Sequence, residues 1–159
     1  MTTFLSRLTG RGILTITDAR MTRFWMSLEQ GVRFVIHAIE NMQGGEVFVP
    51  KIPSMKMTDL AKAMAPDAEI KIIGIRPGEK LHESLISEDE ARTTIELENM
   101  FVVQPAGADL WFGRAWEDKG SPVVDGFTYT SENNTQWLDV EGIMAFIKPI
   151  EEELANTEK

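Results

Sequence analysis

Apolar and polar residues follow a helical period after Ser27, and this pattern predicts the clearest helix of the chain. Ser27 and Gln30 stand at the spacing of a capping box, in which two side chains satisfy backbone N–H groups of the first turn. Gly44 and Gly45 predict where the helix ends. His37 lies off the apolar stripe and receives no functional role. The stripe consists of Leu28, Val32, Val35, Ile36 and Ile39, and Met42 extends it.

Two later stretches show the same period. One helix is predicted from about Met57 and ends at Pro66, because proline removes a backbone donor. The other is capped by Asp139, and Pro149 kinks or restarts it. A short helix is also predicted over residues 3–8. The residues expected to face inward are Met57, Leu60, Ala61 and Met64 in the first helix, and Val140, Ile143, Met144 and Ile147 in the second.

Short β-branched and apolar runs predict strands, and their alternation with helices predicts an α/β fold. The predicted strands are Ile13–Thr17, Glu46–Pro50, Ile70–Ile75 and Phe101–Gln104. The second strand is apolar through its middle, as expected for a strand that is buried on both faces. Residues 18–25 show neither period, residues 87–90 form an acidic run expected to be a solvated face or loop, and residues 106–128 resemble a loop.

A Pro-Gly turn lies between the third predicted strand and a helix predicted at residues 81–85. Arg76 stands before this turn and Glu79 after it. An arginine fork binds phosphate through two parallel hydrogen bonds, and a carboxylate accepts hydrogen bonds from vicinal hydroxyls. One short turn is therefore able to hold a diphosphate and a ribose. The alternative is an exposed turn with a local ion pair, which contributes little to stability.

Composition narrows the class of protein. The chain has 159 residues, 43% hydrophobic and 26% charged, with two histidines and no cysteine. Thiolate metal sites and disulfides are therefore ruled out. No apolar run approaches the roughly 20 residues of a membrane span, and we expect a cytoplasmic protein. The net charge is −9, and the arginines of the chain are not clustered. We therefore expect no nucleic-acid partner.

The sequence lacks the motifs of a self-sufficient oxidoreductase or hydrolase. There is no G-x-G-x-x-G motif after a strand and no G-x-S-x-G elbow. Tyr129 is the only tyrosine, and the position four residues later is Asn133, so the Tyr-x-x-x-Lys spacing of short-chain dehydrogenases is missing. The residues alone therefore indicate a module that binds a small anion, with no catalytic group.

Several motifs in register give the chain a specific resemblance. They are Arg20–Trp25, Gly44–Pro50, Lys51–Ala61, Arg76–Leu81 and Phe127–Leu138. With these motifs the sequence resembles the C-terminal, substrate-binding part of the inverting UDP-N-acetylglucosamine 4,6-dehydratases, which are extended short-chain dehydrogenase/reductases of nonulosonic-acid and surface polysaccharide biosynthesis. The resemblance runs from about Phe4 to about Ile147.

The resemblance implies roles for four residues. Arg23 and Arg76 would contact the diphosphate of a UDP-sugar, and Glu79 would hold the hydroxyls of the uridine ribose. Arg20 is a further candidate for substrate binding, although an ion pair with Asp18 explains it equally well. Lys80 and His82 are expected to be scaffold or rim.

The resemblance also implies what this chain lacks. The family's N-terminal Rossmann half, with its NADP site and its catalytic Asp, Lys and Tyr, has no counterpart here. We therefore expect no cofactor and no catalytic residue in this chain, and a fragment or one piece of a split protein. The family reaction removes a hydride at C4, eliminates water across C5–C6 and returns the hydride at C6.

These expectations combine into one hypothesis with an alternative. The hypothesis is a single UDP-sugar-binding domain over residues 1–150 with an acidic tail over 151–159. This domain would be inactive alone. The alternative is a non-catalytic assembly module or gene remnant that associates with itself or a partner without binding substrate. A related epimerase or decarboxylase fits the motifs less well. Exposed strand edges and apolar faces favour association, so we expect a homo-oligomer or pairing with a Rossmann half.

Overall fold

The structure is a computed structural model that describes residues 12–105 and 116–157. The chain divides into two units. Unit 1 consists of Met1–Phe24, Pro53–Glu83 and Thr135–Lys159, and unit 2 consists of Trp25–Ile52 and Ser84–Asn134. The single domain over residues 1–150 stays a prediction.

Unit 1 contains a parallel pair of strands, β1 (Ile13–Ile16) and β5 (Glu69–Ile72), in which Ile13 is opposite Glu69 and Ile16 is opposite Ile72. Because the strands run parallel, their carboxyl ends lie at the same edge. This edge carries the candidate site.

A second sheet of unit 1 has three short strands. They are β2 (Thr22–Phe24), β4 (Ser54–Lys56) and β11 (Trp137–Leu138). Their order is β11–β4–β2, with β4 antiparallel to β2 and parallel to β11.

Helix α2 (Met57–Met64) follows β4 directly, and it packs against the C-terminal helix, α4 (Val140–Thr157). Asp139 accepts a hydrogen bond from the backbone N–H of Gly142 at 2.8 Å, as expected for a cap. Helix α4 continues past residue 151, where the acidic tail was predicted to start, and it contains Pro149.

Unit 2 contains a four-stranded antiparallel sheet. Its strands are β3 (Val47–Pro50), β7 (Thr94–Glu96), β8 (Met100–Val103) and β9 (Ser121–Pro122), and their order is β3–β8–β7–β9. Two more strands, β6 (Ser84–Ile86) and β10 (Tyr129–Thr130), pair with each other. The helices of unit 2 within the described residues 25–52, 84–105 and 116–134 are α1 (Leu28–Asn41) and α3 (Glu88–Ala91).

The core of unit 2 forms around β7 and β8. Its buried members are Ile95, Met100, Val102 and Trp116. The indole N–H of Trp116 donates to Glu46 at 3.0 Å, and the backbone N–H groups of Gln43 and Gly44 donate to the same carboxylate. Burial acts to raise the pKa of Glu46, but these hydrogen bonds outweigh it and hold the pKa below its ordinary value. Glu46 therefore joins the loop before β3 to the core.

The structure confirms the predicted α/β fold and most of the periodic elements. Helix α1 carries the predicted capping box, with Ser27 accepting from the backbone of Gln30 and the Gln30 side chain accepting from Ser27. Helix α2 ends as predicted, before Pro66, β1 lies within a predicted strand, and β8 begins one residue before the strand predicted over Phe101–Gln104 and ends one residue before its end. The helix predicted over residues 3–8 and residues 106–115 of the predicted loop lie outside the described residues.

Two predictions of burial are wrong. Met144 is 54% exposed although it was expected to face inward beside Ile143, which is fully buried. Val47 of β3 is 55% exposed whereas Val49 is 4% exposed, so this strand is not buried on both faces. The apolar stripe of α1, for which the sequence predicted only a shared face, is exposed, with Leu28 at 85%. Amphipathic period indicates which residues share a face, and only the fold decides what covers that face.

One local prediction is also wrong, because pairing with distant residues outweighs local pattern. The helix predicted at residues 81–85 is a bend followed by β6, which pairs with β10. Residues 18–25 contain β2, which pairs with β4. The acidic run at residues 87–90 is exposed, which confirms the expected solvated face, and it contains the start of α3, where Glu90 accepts hydrogen bonds from Ser87.

Candidate functional site

The Arg76–Glu79 segment is a tight turn, as predicted. The backbone N–H of Glu79 donates to the carbonyl of Arg76 at 3.1 Å, and Gly78 has a φ of 82°. Proline at the second position and a glycine with positive φ at the third are typical of a type II turn. The turn therefore fixes the backbone on which Arg76 and Glu79 stand.

The Glu79 carboxylate is held on both oxygens within unit 1. Thr17 donates from its hydroxyl to Oε1 at 3.2 Å, and the backbone N–H of Arg76 donates to Oε2 at 3.2 Å. Thr17 directly follows β1, and Ile73, which directly follows β5, donates from its backbone N–H to the carbonyl of Ile16 at 2.9 Å. Parallel pairing thus brings Thr17 beside the turn. Carboxyl ends of parallel strands are common places for ligand binding.

A pocket of about 320 Å³ opens at this edge of unit 1, and Arg23, Arg76 and Glu79 all line it. Its volume is at the lower end of the range for small-molecule sites. Three of the four predicted substrate-binding residues therefore share one cavity. The other lining residues are Thr15, Ile16, Thr17, Met21, Met57 and Ile73.

The guanidinium of Arg76 is exposed and forms no hydrogen bond or ion pair with any residue in the described ranges 12–105 and 116–157. An arginine fork without an intramolecular partner retains its five N–H donors for a ligand. The structure therefore leaves this side chain available at the rim of the pocket.

Arg23 is more constrained than the sequence suggested. It lies on β2, and its Nη1 donates to the carbonyls of Thr22 and Leu81 at 2.7 and 3.1 Å. Its Nη2 donates to the carbonyl of Lys80 at 3.0 Å and contacts Met21 Sδ at 3.8 Å, and its Nε lies 3.3 Å from Glu83 Oε1. All five N–H groups therefore have partners within unit 1. The diphosphate contact of Arg23 stays a prediction.

Arg20 lies apart from these residues and is not among those that line the pocket. It forms a two-point ion pair with Asp18, with Nε to Oδ1 at 3.0 Å and Nη2 to Oδ2 at 2.8 Å. The side-chain and backbone hydrogen bonds from Arg20 lower the pKa of Asp18 to about 2. This is the ion pair that the sequence offered as the alternative explanation, and substrate binding by Arg20 stays a prediction.

Thr17 and Met57 are pocket residues that the sequence did not single out. Thr17 has no motif of its own, and its importance depends on the parallel pairing of β1 with β5. Met57 was predicted only as core of α2. The available signal for Thr17 was its place as the last, polar residue of the predicted strand Ile13–Thr17, because ligands bind at the carboxyl ends of parallel strands.

Tyr129 has a structural role in unit 2. Its hydroxyl donates to the carbonyl of Ile52 at 3.0 Å and accepts from the backbone N–H of Ile52 at 3.1 Å. Burial raises the pKa of this phenol. Asn134 donates to the same carbonyl at 2.7 Å. Both side chains therefore fix the Ile52 loop.

The described helices do not fit a dinucleotide. Helices α1 and α2 follow Ser27 and Lys56, and no glycine lies in the six residues before either helix. A dinucleotide site needs glycines there so that the backbone can approach the pyrophosphate. Within residues 12–105 and 116–157, no group of three or more His, Asp or Glu side chains could hold a metal ion, and none of the helices is long and apolar enough to cross a membrane.

Comparison with known proteins identifies the family. Residues 1–105 match the family described as "Polysaccharide biosynthesis protein". The chain is 49% identical over 155 residues to the inverting UDP-N-acetylglucosamine 4,6-dehydratase of Campylobacter jejuni subsp. jejuni serotype O:2, with 93% of this chain and 46% of the relative covered. It is 34% identical to a UDP-glucose 4-epimerase of Rickettsia conorii over 160 residues, with 96% and 47% covered.

The fold has a counterpart among crystal structures. Pen from Bacillus thuringiensis superposes with a TM-score of 0.76 at 28% identity, covering 94% of this chain and 45% of Pen. The chain thus spans about half the length of the curated relatives it matches. These findings confirm the resemblance to the C-terminal part of the inverting dehydratases, which are extended short-chain dehydrogenase/reductases. The chain belongs to the polysaccharide biosynthesis protein family.

Proposed function

We propose that this chain forms the UDP-sugar-binding portion of a nucleotide-sugar 4,6-dehydratase, with UDP-N-acetylglucosamine as its ligand and nonulosonic-acid surface polysaccharide as the end product. Family membership supports a role in polysaccharide biosynthesis. Two relatives with different activities are both named for a UDP-sugar, which supports the nucleotide part of the ligand more strongly than the reaction. The cytoplasmic location expected from the sequence is part of this proposal.

One observation carries the proposal: Arg76 and Glu79 stand on one rigid turn, line the same pocket, and offer complementary chemistry to a nucleotide. The unpartnered Arg76 fork supplies two parallel donors to a diphosphate. Each oxygen of Glu79 accepts one hydrogen bond from unit 1 and retains a second lone pair. Two vicinal ribose hydroxyls can donate to these positions.

Arg23 contributes to the same diphosphate in this proposal. Its contact with Met21 Sδ, at 3.8 Å, is the longest of its hydrogen bonds, and sulfur is a weak acceptor. A phosphate oxygen would replace that contact at little cost while the bonds to the carbonyls of Leu81 and Lys80 persist. The arginine would then bind ligand with one N–H and hold its own position with the others.

The proposal assigns binding and orientation to this chain, and no chemical step. The hydride chemistry is supplied in the family by NADP, and the described residues offer no phosphate cradle for it. We therefore expect the chain to be inactive alone.

Calorimetric titration of the 159-residue chain with UDP-N-acetylglucosamine tests the proposal. Arg76→Ala and Glu79→Ala should each weaken binding about tenfold or more, because hydrogen bonds to charged groups contribute about 1.5–3 kcal/mol. Arg33→Ala is the matched control, since Arg33 is exposed on α1 and pairs only locally with Glu29 in an i,i+4 ion pair. Absence of binding by the unaltered chain, or equal binding by all variants, would contradict the proposal.

A second candidate is the assembly module, and the exposed stripe of α1 favours it. Leu28, Val35 and Ile39 are each more than half exposed, and contiguous exposed apolar surface marks an association site. We propose that the chain forms a homo-oligomer or pairs with a Rossmann half. Light scattering after size exclusion should show a mass above that of the monomer, and Ile36→Glu should lower it. A clean monomer at high concentration would contradict self-association.

A further inference from the structure

The segment Lys80–Glu83, which leaves the Arg76–Glu79 turn, is attached to strand β2 by hydrogen bonds from successive residues. The backbone N–H of Thr22 donates to the carbonyl of Leu81 at 3.2 Å. Arg23 donates to the carbonyls of Lys80 and Leu81. The side chains of Thr22 and His82 also bond to each other, with Thr22 Oγ1 and His82 Nδ1 2.8 Å apart. Neither side chain contacts phosphate or ribose in the proposed function.

The turn is therefore held at both ends within unit 1. At its start, Ile73 bonds to Ile16 across the β1–β5 pair. At its end, the 80–83 segment is bound to β2. Thr22 is 4% exposed, so its bond to His82 is shielded from solvent, and a hydrogen bond inside a protein is electrostatically stronger than one in water. The Thr22–His82 bond is thus well placed to resist movement of the segment that follows Glu79.

We propose that His82 is a positioning residue for the nucleotide-binding turn and acts through Thr22. This inference rests on the proposed function of Arg76 and Glu79. Losing the bond lets the end of the turn shift, so that the carboxylate of Glu79 and the guanidinium of Arg76 move together relative to β1. Both halves of the ligand are then bound less well. A side chain that contacted phosphate itself would affect only the phosphate half.

Titration with UDP and with uridine distinguishes a positioning residue from a side chain that contacts phosphate. His82→Phe and Thr22→Val remove the bond from opposite sides while retaining a similar volume. Each should weaken the affinity for UDP and for uridine by the same factor, about three- to tenfold, which is the effect of one hydrogen bond. Arg76→Gln should weaken the affinity for UDP and leave that for uridine nearly unchanged.

Three further variants complete the test. Thr22→Ser retains the hydroxyl and should bind nearly as the unaltered chain does. The double variant His82→Phe/Thr22→Val should bind no more weakly than either single variant, because both substitutions remove the same Thr22–His82 bond. His37→Phe is the matched histidine control, because His37 is exposed on α1 and bonds locally to Asn41; its affinity should not change.

The positioning role is overturned if His82→Phe weakens only UDP binding, if the two substitutions act additively, or if neither changes affinity. Should the unaltered chain bind neither ligand, the proposed function fails for this chain, and hydrogen exchange decides the inference by itself. The amide of Glu79, bonded to Arg76 O, should then exchange several-fold faster in His82→Phe and Thr22→Val than in His37→Phe. Equal exchange rates would overturn it.

Discussion

Thr17 and Glu79 lie 62 positions apart in the sequence, and a hydrogen bond of 3.2 Å joins Thr17 Oγ1 to Glu79 Oε1. It connects the end of β1 to the turn that follows β5. We predict that Thr17→Val weakens the affinity for UDP-N-acetylglucosamine about three- to tenfold, because the carboxylate loses one of the bonds that orient it. Calorimetry measures the change.

Thr93→Val is the control for this substitution. The hydroxyl of Thr93 donates to the carbonyl of Glu90 in an exposed turn of unit 2, so it should leave affinity unchanged. Equal affinities for Thr17→Val and the unaltered chain would show that the bond does not orient the ligand-binding carboxylate.

The Asp18–Arg20 ion pair has a pH signature. The pKa of Asp18 is lowered from 3.8 to about 2 by the side-chain and backbone hydrogen bonds from Arg20. A lowered pKa in the folded state contributes stability above the unfolded pKa, and this contribution is lost as the pH falls from about 4 to about 2. Carbon-detected NMR titration should place the Asp18 carboxyl near the lower value, and Arg20→Gln should return it toward 3.8.

The same variant tests the binding role of Arg20. Because Arg20 is absent from the pocket lining and its guanidinium is bound to Asp18, we expect Arg20→Gln to change the affinity for UDP-N-acetylglucosamine by less than about twofold, the size of a weak surface ion pair. A larger loss would establish Arg20 as a binding residue.

Neighbouring residues of α4 should differ sharply in their effect on stability. Ile143 is fully buried and Met144 is 54% exposed. Ile143→Ala should lower the free energy of unfolding by about 2–5 kcal/mol through loss of buried surface and cavity formation. Met144→Ala should change it by less than about 0.5 kcal/mol. Urea denaturation measures both, and similar losses would contradict the packing of α4.

The capping box of α1 should contribute measurably to unit 2. Ser27 accepts from the backbone N–H of Gln30 at 3.1 Å. Ser27→Ala should therefore destabilise the helix by about 1 kcal/mol, seen as a lower denaturation midpoint by circular dichroism. Ser121→Ala, at an exposed position of β9, is the control. A midpoint unchanged by Ser27→Ala would show that α1 does not limit stability.

Elements with a strong local signal were predictable from the sequence. Helix α1, its cap and helix α2 follow from apolar period and from terminating residues, which act within one or two turns. The turn at Pro77 and Gly78 was predictable for the same reason, since glycine adopts positive φ without steric cost. The motifs around Arg23 and Arg76 also gave the family.

Elements that depend on distant partners were not predictable. Strands β2, β4 and β7 have three residues each, too few for a period, and they form because another strand lies alongside. The bend at residues 81–83 replaces a predicted helix because the carbonyls of Lys80 and Leu81 accept hydrogen bonds from β2. The Leu81 carbonyl accepts two of these hydrogen bonds, so both of its lone pairs are occupied and it is not available to the next helical turn.

The sequence by itself determined the family, the helical faces, and the turn that presents Arg76 and Glu79. Only the tertiary structure decided that Thr17 holds Glu79, that Arg23 is already bonded to the backbone, that Arg20 lies outside the pocket, and that the stripe of α1 is exposed. The physical reason is the separation in sequence between the residues that interact. Turn and cap geometry are fixed by residues a few positions apart, whereas a pocket is formed by strand pairings between residues dozens of positions apart, and no local pattern encodes these.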